Sequence, residues 1–406
     1  MRSVAGILAF ATSILLAGPG PSTEDLDFEG VFREAGNSSP DLLRLGEAFL
    51  AKYPQSPRRP DLERALARAA VEAQDSARTI LYGERALAQG VREPLLLERV
   101  AQALLARENA EPASRALLYA QELESLLRKS PPNFYDQHYL QVLAHSVVLQ
   151  ARAWGYQGRP EQALSQALRA REIALTAEAA REAGHWLARL GRHEEAVDRY
   201  AEAFVLAVQA EERSRDRQRL HEEYLKLHSG EAGLGERILL AYDRTASERD
   251  QKLAAARLKY PNAGRTRLAD FVLSALSGPS LALSSLKGKV AVLDFWATWC
   301  TPCRAQQPLY EQLRRQFAHQ PDVVFLSINM DDNREAVRRF VEEVGWAQTV
   351  YFEDGLAALL RITSVPTTIV IGRDGSLMSR MDGFVAETFV EQLSARIRSA
   401  LAEPRP

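Results

Sequence analysis

Cysteine is nearly absent from this sequence: its 406 residues hold two. Two thiols cannot build a disulfide-rich scaffold, nor can they fill a four-cysteine zinc site. A surplus of either charge is missing too. Fifty-one Lys and Arg face 53 Asp and Glu, for a formal net charge of −2. That balance excludes the basic excess of a nucleic-acid binder and the acidic excess of a solvating tail, so no nucleic-acid partner is expected. Lysine accounts for only seven of the 51 basic residues; with the many alanines this reads as codon usage and carries no functional inference. Nor does any apolar run reach the about 20 residues that a comfortable membrane span needs. The longest, Val4–Ala17, follows Arg2. A basic start and a short apolar core match a secretory signal peptide. Residues 1–22 are therefore expected to be a signal peptide or an uncleaved N-terminal anchor, with the protein exported to the periplasm or cell envelope. No Cys follows the run, which excludes a lipoprotein anchor.

What is present is enough apolar residue, 46% of the chain, to bury sizeable cores, and enough length for two or three domains. From about Ser39 to Tyr260 the pattern is helical. Ala, Leu, Glu and Arg dominate, and apolar residues recur at spacings of three and four. Ser39-Pro40-Asp41 offers a cap, an early Pro and an early acid. Two stretches align at an offset of 33: Trp154 with Leu187, Gly158 with Gly191, Ala163 with Ala196, and Ala170 with Ala203. Small residues let antiparallel helices approach closely, and the Gly falls in the turn between them. Over about 70 residues this resembles tetratricopeptide repeats, which implies a surface that binds a protein partner; a plain helical spacer is the other reading. Residues 23–262 are thus expected to form an α-helical, tetratricopeptide-like domain. His221 and His228 flank E-E-Y-L-K-L, which is not the H-E-x-x-H zinc helix. His138/His145 and His185/His193 have no third ligand nearby in sequence, so no metal site is expected.

After Pro261-Asn262-Ala263-Gly264 the texture changes. Short β-rich runs (Val290–Trp296, Val323–Ile328, Thr349–Phe352, Thr367–Ile371, Ser376–Met381) alternate with amphipathic segments. Gly372-Arg373-Asp374-Gly375 is a hairpin turn signal. Residues 263–406 are therefore expected to be an α/β domain with a mixed sheet covered by helices. Both cysteines lie here, in Trp299-Cys300-Thr301-Pro302-Cys303, after a strand and at a helix start. Unpaired N–H groups in the first helical turn favour a thiolate at Cys300, and Pro302 needs no N–H there. Cys300 is expected to attack a substrate disulfide and Cys303 to resolve the mixed disulfide. Half of a zinc ribbon would need a second Cys pair, which is lacking; a purely structural disulfide is the remaining alternative.

Leu293-Asp294-Phe295-Trp296-Ala297-Thr298-Trp299-Cys300-Thr301-Pro302-Cys303 resembles the thioredoxin active-site stretch. Ala269-Asp270-Phe271, Leu286–Val290, Asp331 and Ile362–Thr368 resemble the TlpA/ResA-like envelope thioredoxins. The resemblance covers about residues 265–401. It implies a thioredoxin fold with an αβ insertion near 331–352, and a cis Pro366 beside the Cys pair. Val365 would then offer its backbone to an extended client. It also implies that Asp294 is a buried acid that helps move the proton of Cys303; a salt-bridged structural Asp is the alternative. Trp299, Thr301, Pro302, Val365 and Pro366 are the expected client-contacting residues. Where TlpA/ResA-like proteins often carry Glu, three residues after the second Cys, this chain has Gln306. The expected function is an exported protein-disulfide oxidoreductase, more reducing than oxidising in motif, serving cell redox homeostasis. It would act on disulfide-containing client proteins, be recharged by a membrane electron donor, and need no cofactor beyond the redox-active disulfide. A partner-binding adaptor with an accessory redox domain is the alternative. A thiol peroxidase is disfavoured, because P-x-x-x-T-x-x-C is replaced by Leu293 and Ala297 at its Pro and Thr positions.

Overall fold

The computed structural model describes residues 22–129, 131–132, 135–346 and 348–404. The expected signal segment lies outside them, apart from its last residue. The chain divides into two compact units, with the division between Ala246 and Ser247.

The first unit is all helix: α1 (Thr23–Ala35), α2 (Ser39–Lys52), α3 (Arg59–Glu72), α4 (Ser76–Ala88), α5 (Pro94–Leu105), α6 (Ala110–Lys129), α7 (Gln137–Tyr156), α8 (Pro160–Ile173), α9 (Ala177–Arg189), α10 (His193–Leu206), α11 (Ala210–Leu225) and the start of α12 (Leu234–Lys259). Helix α1 precedes the expected onset, opened by a Ser22 capping box. Ser38, not Ser39, caps α2, which places Pro40 one position further into the first turn. The offset-33 residues have the role their size suggests. Ala151, Ala163, Ala170, Ala196 and Ala203 are fully buried between helices. Gly158 and Gly191 turn the chain with φ of 74° and 75°, which favours Gly. A Cβ on Gly155 would collide with the Trp186 ring.

A second repeat was not visible in the apolar pattern. Glu47 on α2 accepts from Arg78 (2.7 and 2.9 Å) and Tyr82 (3.1 Å) on α4. Glu84 on α4 accepts from Arg115 (2.6 Å) and Tyr119 (3.2 Å) on α6. The same Glu, Arg and Tyr thus recur at a constant offset, and each set clasps one even-numbered helix to the next.

The second unit is built on a five-stranded sheet of order β5-β4-β3-β6-β7. Its strands are β3 (Val290–Trp296), β4 (Val323–Asn329), β5 (Val350–Phe352), β6 (Thr367–Ile371) and β7 (Leu377–Asp382); β1 (Val272–Leu273) and β2 (Leu281–Ala282) pair separately. Strand β3 runs parallel to β4 and antiparallel to β6. It is buried along its whole length, as a central strand covered on both faces must be. Side chains alternate across it. Leu293 and Phe295 join Phe271, Ile328 and Ile369 in one core. Val290 and Val292 face the other way, onto Tyr310 and Leu313 of α13 (Thr301–Gln316) and Phe389 and Leu393 of α16 (Ala386–Ala402). The Tyr310 hydroxyl donates to the carbonyls of Val292 and Leu326, pinning α13 across β3 and β4. Between β4 and β5 lies α14 (Arg334–Val344), the expected insertion; α15 (Leu356–Leu359) follows β5. Asn262 belongs to this unit by its bonds: its side chain donates to Val272 and Asp354 carbonyls and accepts from Val272 N–H.

Candidate active site

Strand β3 ends at Trp296 and α13 begins at Thr301, so the two cysteines straddle a helix N-terminus at the carboxyl edge of the sheet. Cys300 is the N-cap, with φ −84° and ψ 98°, and its sulfur accepts the Cys303 N–H at 3.1 Å. A sulfur thus takes the place that a capping oxygen usually holds. Pro302 stands in the first turn, where its missing N–H costs nothing. Cys300 and Cys303 form a disulfide with Cα atoms 5.3 Å apart. Both are buried, while Trp299 beside them is 70% exposed and Thr301 and Pro302 are exposed. The Val365–Pro366 peptide is cis. Val365 packs against the cluster of Trp296, Ala297, Cys300 and Cys303.

Asp294 follows from the alternation of β3, which puts it on the face covered by α13. It pairs in register with Ser327 on β4 and Thr368 on β6. Gln306 Nε2 donates to its Oδ1 at 2.8 Å, and Thr368 Oγ1 lies at 3.4 Å. Burial pushes its carboxyl up to about 7, against the lowering effect of the Thr368 and Gln306 hydrogen bonds. No cation pairs with it among the described residues.

The loop before Cys300 is held from two sides by residues that sequence reasoning did not assign to the site. Asp331, just past β4, accepts from the Thr298 N–H at 2.7 Å and from its hydroxyl at 2.8 Å. Asn329 fixes Asp331 in turn, donating from Nδ2 and accepting from the Asp331 N–H. Arg304 donates to the Thr298 carbonyl at 2.9 Å and lies over the Phe340 ring. Every polar backbone and side-chain group of Thr298 is therefore engaged. The available signal was Asn-x-Asp at the end of a strand parallel to β3. Behind the disulfide, Trp296 is buried; its indole donates to Ser327 and its ring meets Phe340 and Trp346. A second acid at this edge, Glu353, is pushed up to about 7 by burial, although it accepts from the Gly355 and Ala357 N–H groups.

The paired histidines do other work. His145 bonds Glu178 and Gln102, and His193 bonds Glu223. Among the described residues no cluster of three or more His, Cys, Asp or Glu could hold a metal ion. No helix among them is long and apolar enough to cross a membrane.

Comparison with known proteins matches residues 288–377 to the thioredoxin-like family. The thiol-disulfide oxidoreductase ResA of Halalkalibacterium halodurans is 32% identical over 131 residues, which are 32% of this chain and 74% of that protein. The thioredoxin-like protein YneN of Bacillus subtilis is 32% identical over 125 residues, 30% of this chain and 74% of the relative. A solved thioredoxin-family thiol:disulfide interchange protein from Chlorobium tepidum is 25% identical, with a TM-score of 0.29, covering 34% of this chain and 99% of its own.

Proposed function

The chain belongs, through its C-terminal domain, to the ResA-like thiol-disulfide oxidoreductases of thioredoxin fold, and from that premise we propose that it is an exported reductase of protein disulfides. The observation that carries the reading is the buried Cys300–Cys303 pair, capping α13, with no cation paired with Asp294 among the described residues. In the reduced protein the Cys300 thiolate, favoured by the α13 N-terminus, attacks one sulfur of a client disulfide. The other client sulfur leaves as a thiolate and a mixed disulfide forms. Asp294 then takes the Cys303 proton, and the Cys303 thiolate attacks the Cys300 sulfur. The client departs as a dithiol and the enzyme disulfide returns, so the cycle needs no cofactor but an outside electron donor, held in the membrane. Trp299, Thr301, Pro302 and the backbone of Val365, beside cis Pro366, form the client-binding rim. Pro302 before Cys303, with no His between the cysteines, favours reduction over oxidation. Export rests on Arg2 and the Val4–Ala17 run. The helical unit, with its buried small residues and repeated clasps, supports a tetratricopeptide-like array that holds a protein partner.

The test is reduction of insulin disulfides by the full-length protein with a small-thiol reductant. Cys300→Ser is expected to abolish turnover, whereas Cys303→Ser is expected to stop at trapped mixed disulfides. Activity that survives Cys300→Ser overturns the mechanism. Envelope partners that the full-length Cys300→Ser protein still captures would belong to the helical unit.

A further inference from the structure

Gln306 stands one turn after Cys303 on α13, and positions three apart share a helix face. Both side chains are buried. The amide donates through Nε2 to Asp294 Oδ1 at 2.8 Å, yet its buried Oε1 has no hydrogen-bond partner among the described residues. An unpaired buried acceptor is costly and calls for a reason. A second state of the neighbour supplies one. Ionised, Asp294 can only accept; protonated, it must also donate. A primary amide carries one end suited to each state, and half a turn about its last torsion exchanges them. The other polar neighbour, the Thr368 hydroxyl, is 3.4 Å from both Asp294 Oδ1 and Gln306 Nε2, so the amide makes the closer contact.

We propose that Gln306 is a positioning residue of the proton relay: it donates through Nε2 while Asp294 is ionised, and turns over to accept the Asp294 hydroxyl on Oε1 once the proton has arrived from Cys303. The inference rests on Asp294 being the base for Cys303. The step balances. The Cys303 thiol gives its proton to Asp294, and the thiolate forms the Cys300–Cys303 bond. The Cys300–client sulfur bond breaks with its electron pair leaving on the client sulfur. Asp294 later returns its proton to solvent. In the ionised state the Gln306 donor opposes the effect of burial, so Asp294 is free to accept near neutral pH.

Reduced full-length protein mixed with dithiobis-nitrobenzoate in a stopped-flow cell separates the two cysteines. Attack by Cys300 releases one thionitrobenzoate; attack by Cys303 on the resulting mixed disulfide releases the second. Gln306→Met removes the donor, so Asp294 holds its proton to higher pH. The rise of the second phase with pH is then expected to move up by about one pH unit, with the second phase about tenfold slower near neutrality relative to the first. Gln306→Glu sets a second carboxyl against the first and is expected to move the midpoint further up. In an Asp294→Asn background, Gln306→Met is expected to change nothing more. An unmoved midpoint in Gln306→Met, or equal slowing in the Asp294→Asn background, overturns the role of Gln306. An Asp294→Asn protein whose second phase keeps the wild-type rate and pH profile overturns instead the reading of Asp294 as base.

Discussion

Buried carboxylates occur in both units of the chain, and the two units treat them in opposite ways. In the helical unit Asp216 is fully buried and takes both arms of the Arg181 fork, at 2.6 and 2.8 Å. Glu202 accepts from Arg171 and Arg199. Burial pushes Glu124 up, but hydrogen bonds from Gln150, Arg128 and Arg169 outweigh it and hold the carboxyl below its usual range. In the thioredoxin-like unit Asp294 and Glu353 are buried, no cation pairs with either among the described residues, and both are pushed up to about 7. A carboxylate clamped by arginine has its charge compensated on the spot and serves as a joint. One left with neutral donors can change its charge near pH 7, which is what a proton carrier requires.

The contrast breaks most visibly by taking away a clamp. Arg181→Ala leaves Asp216 buried and uncompensated, and a broken buried pair costs about 3–5 kcal/mol. The helical unit is expected to lose about that much, measured by far-UV ellipticity of the full-length protein in denaturant at neutral pH. A loss below about 1 kcal/mol would mean that Asp216 finds water or another donor, and that the joint is not built on this pair.

The opposite sign is expected at Asp294. Its folded carboxyl titrates at about 7, against 3.8 for the ordinary group. Between those values the folded chain binds a proton that the unfolded chain does not. Stability therefore falls as pH rises from about 4 to 7, and the penalty is complete above the folded value. Asp294→Asn removes the titration. It is expected to flatten that part of the stability–pH curve in the oxidised protein and to add about 2–4 kcal/mol at pH 8, while resolution by Cys303 slows. A variant less stable than wild type at pH 8 would show that Asp294 is a structural joint like Asp216.

The same contrast explains what could be read from residues alone. The Cys pair was legible because its C-x-x-C lies in a local strand-then-helix setting, whereas the expectations for Asp294 and cis Pro366 came from the resemblance to the thioredoxins. Asp331 and Thr298 meet only because β4 lies parallel beside β3, and that neighbourhood is a property of topology. Gln306 was legible as a departure from the family but not as the partner of Asp294, since a strand and a helix had to be packed first. In the helical unit, apolar and small residues gave the helices and the offset-33 pair. The Glu47–Arg78–Tyr82 and Glu84–Arg115–Tyr119 clasps escaped because their Glu and Arg, on half-buried helix faces, show no apolar period. Arginine, read as codon usage, has a structural use in them: the planar fork of Arg78 engages both oxygens of Glu47, which lysine cannot do, and Arg115 and Tyr119 take one oxygen of Glu84 each.

The smallest effect sharpens the comparison from within the helical unit. The Glu47–Arg78 clasp has the same fork geometry as Asp216–Arg181, but its side chains are 31% and 41% exposed, against 0% and 20%. Water already solvates much of the first pair, so releasing it strands no dry charge, and pairs of that exposure contribute little. Arg78→Ala is expected to cost far less than Arg181→Ala in the same denaturant measurement, and less still in high salt, where exposed charges are screened. Equal losses at the two sites would assign the stabilisation to fork geometry itself. A clear gap would assign it to desolvation, the same quantity that separates the clamped acids from Asp294.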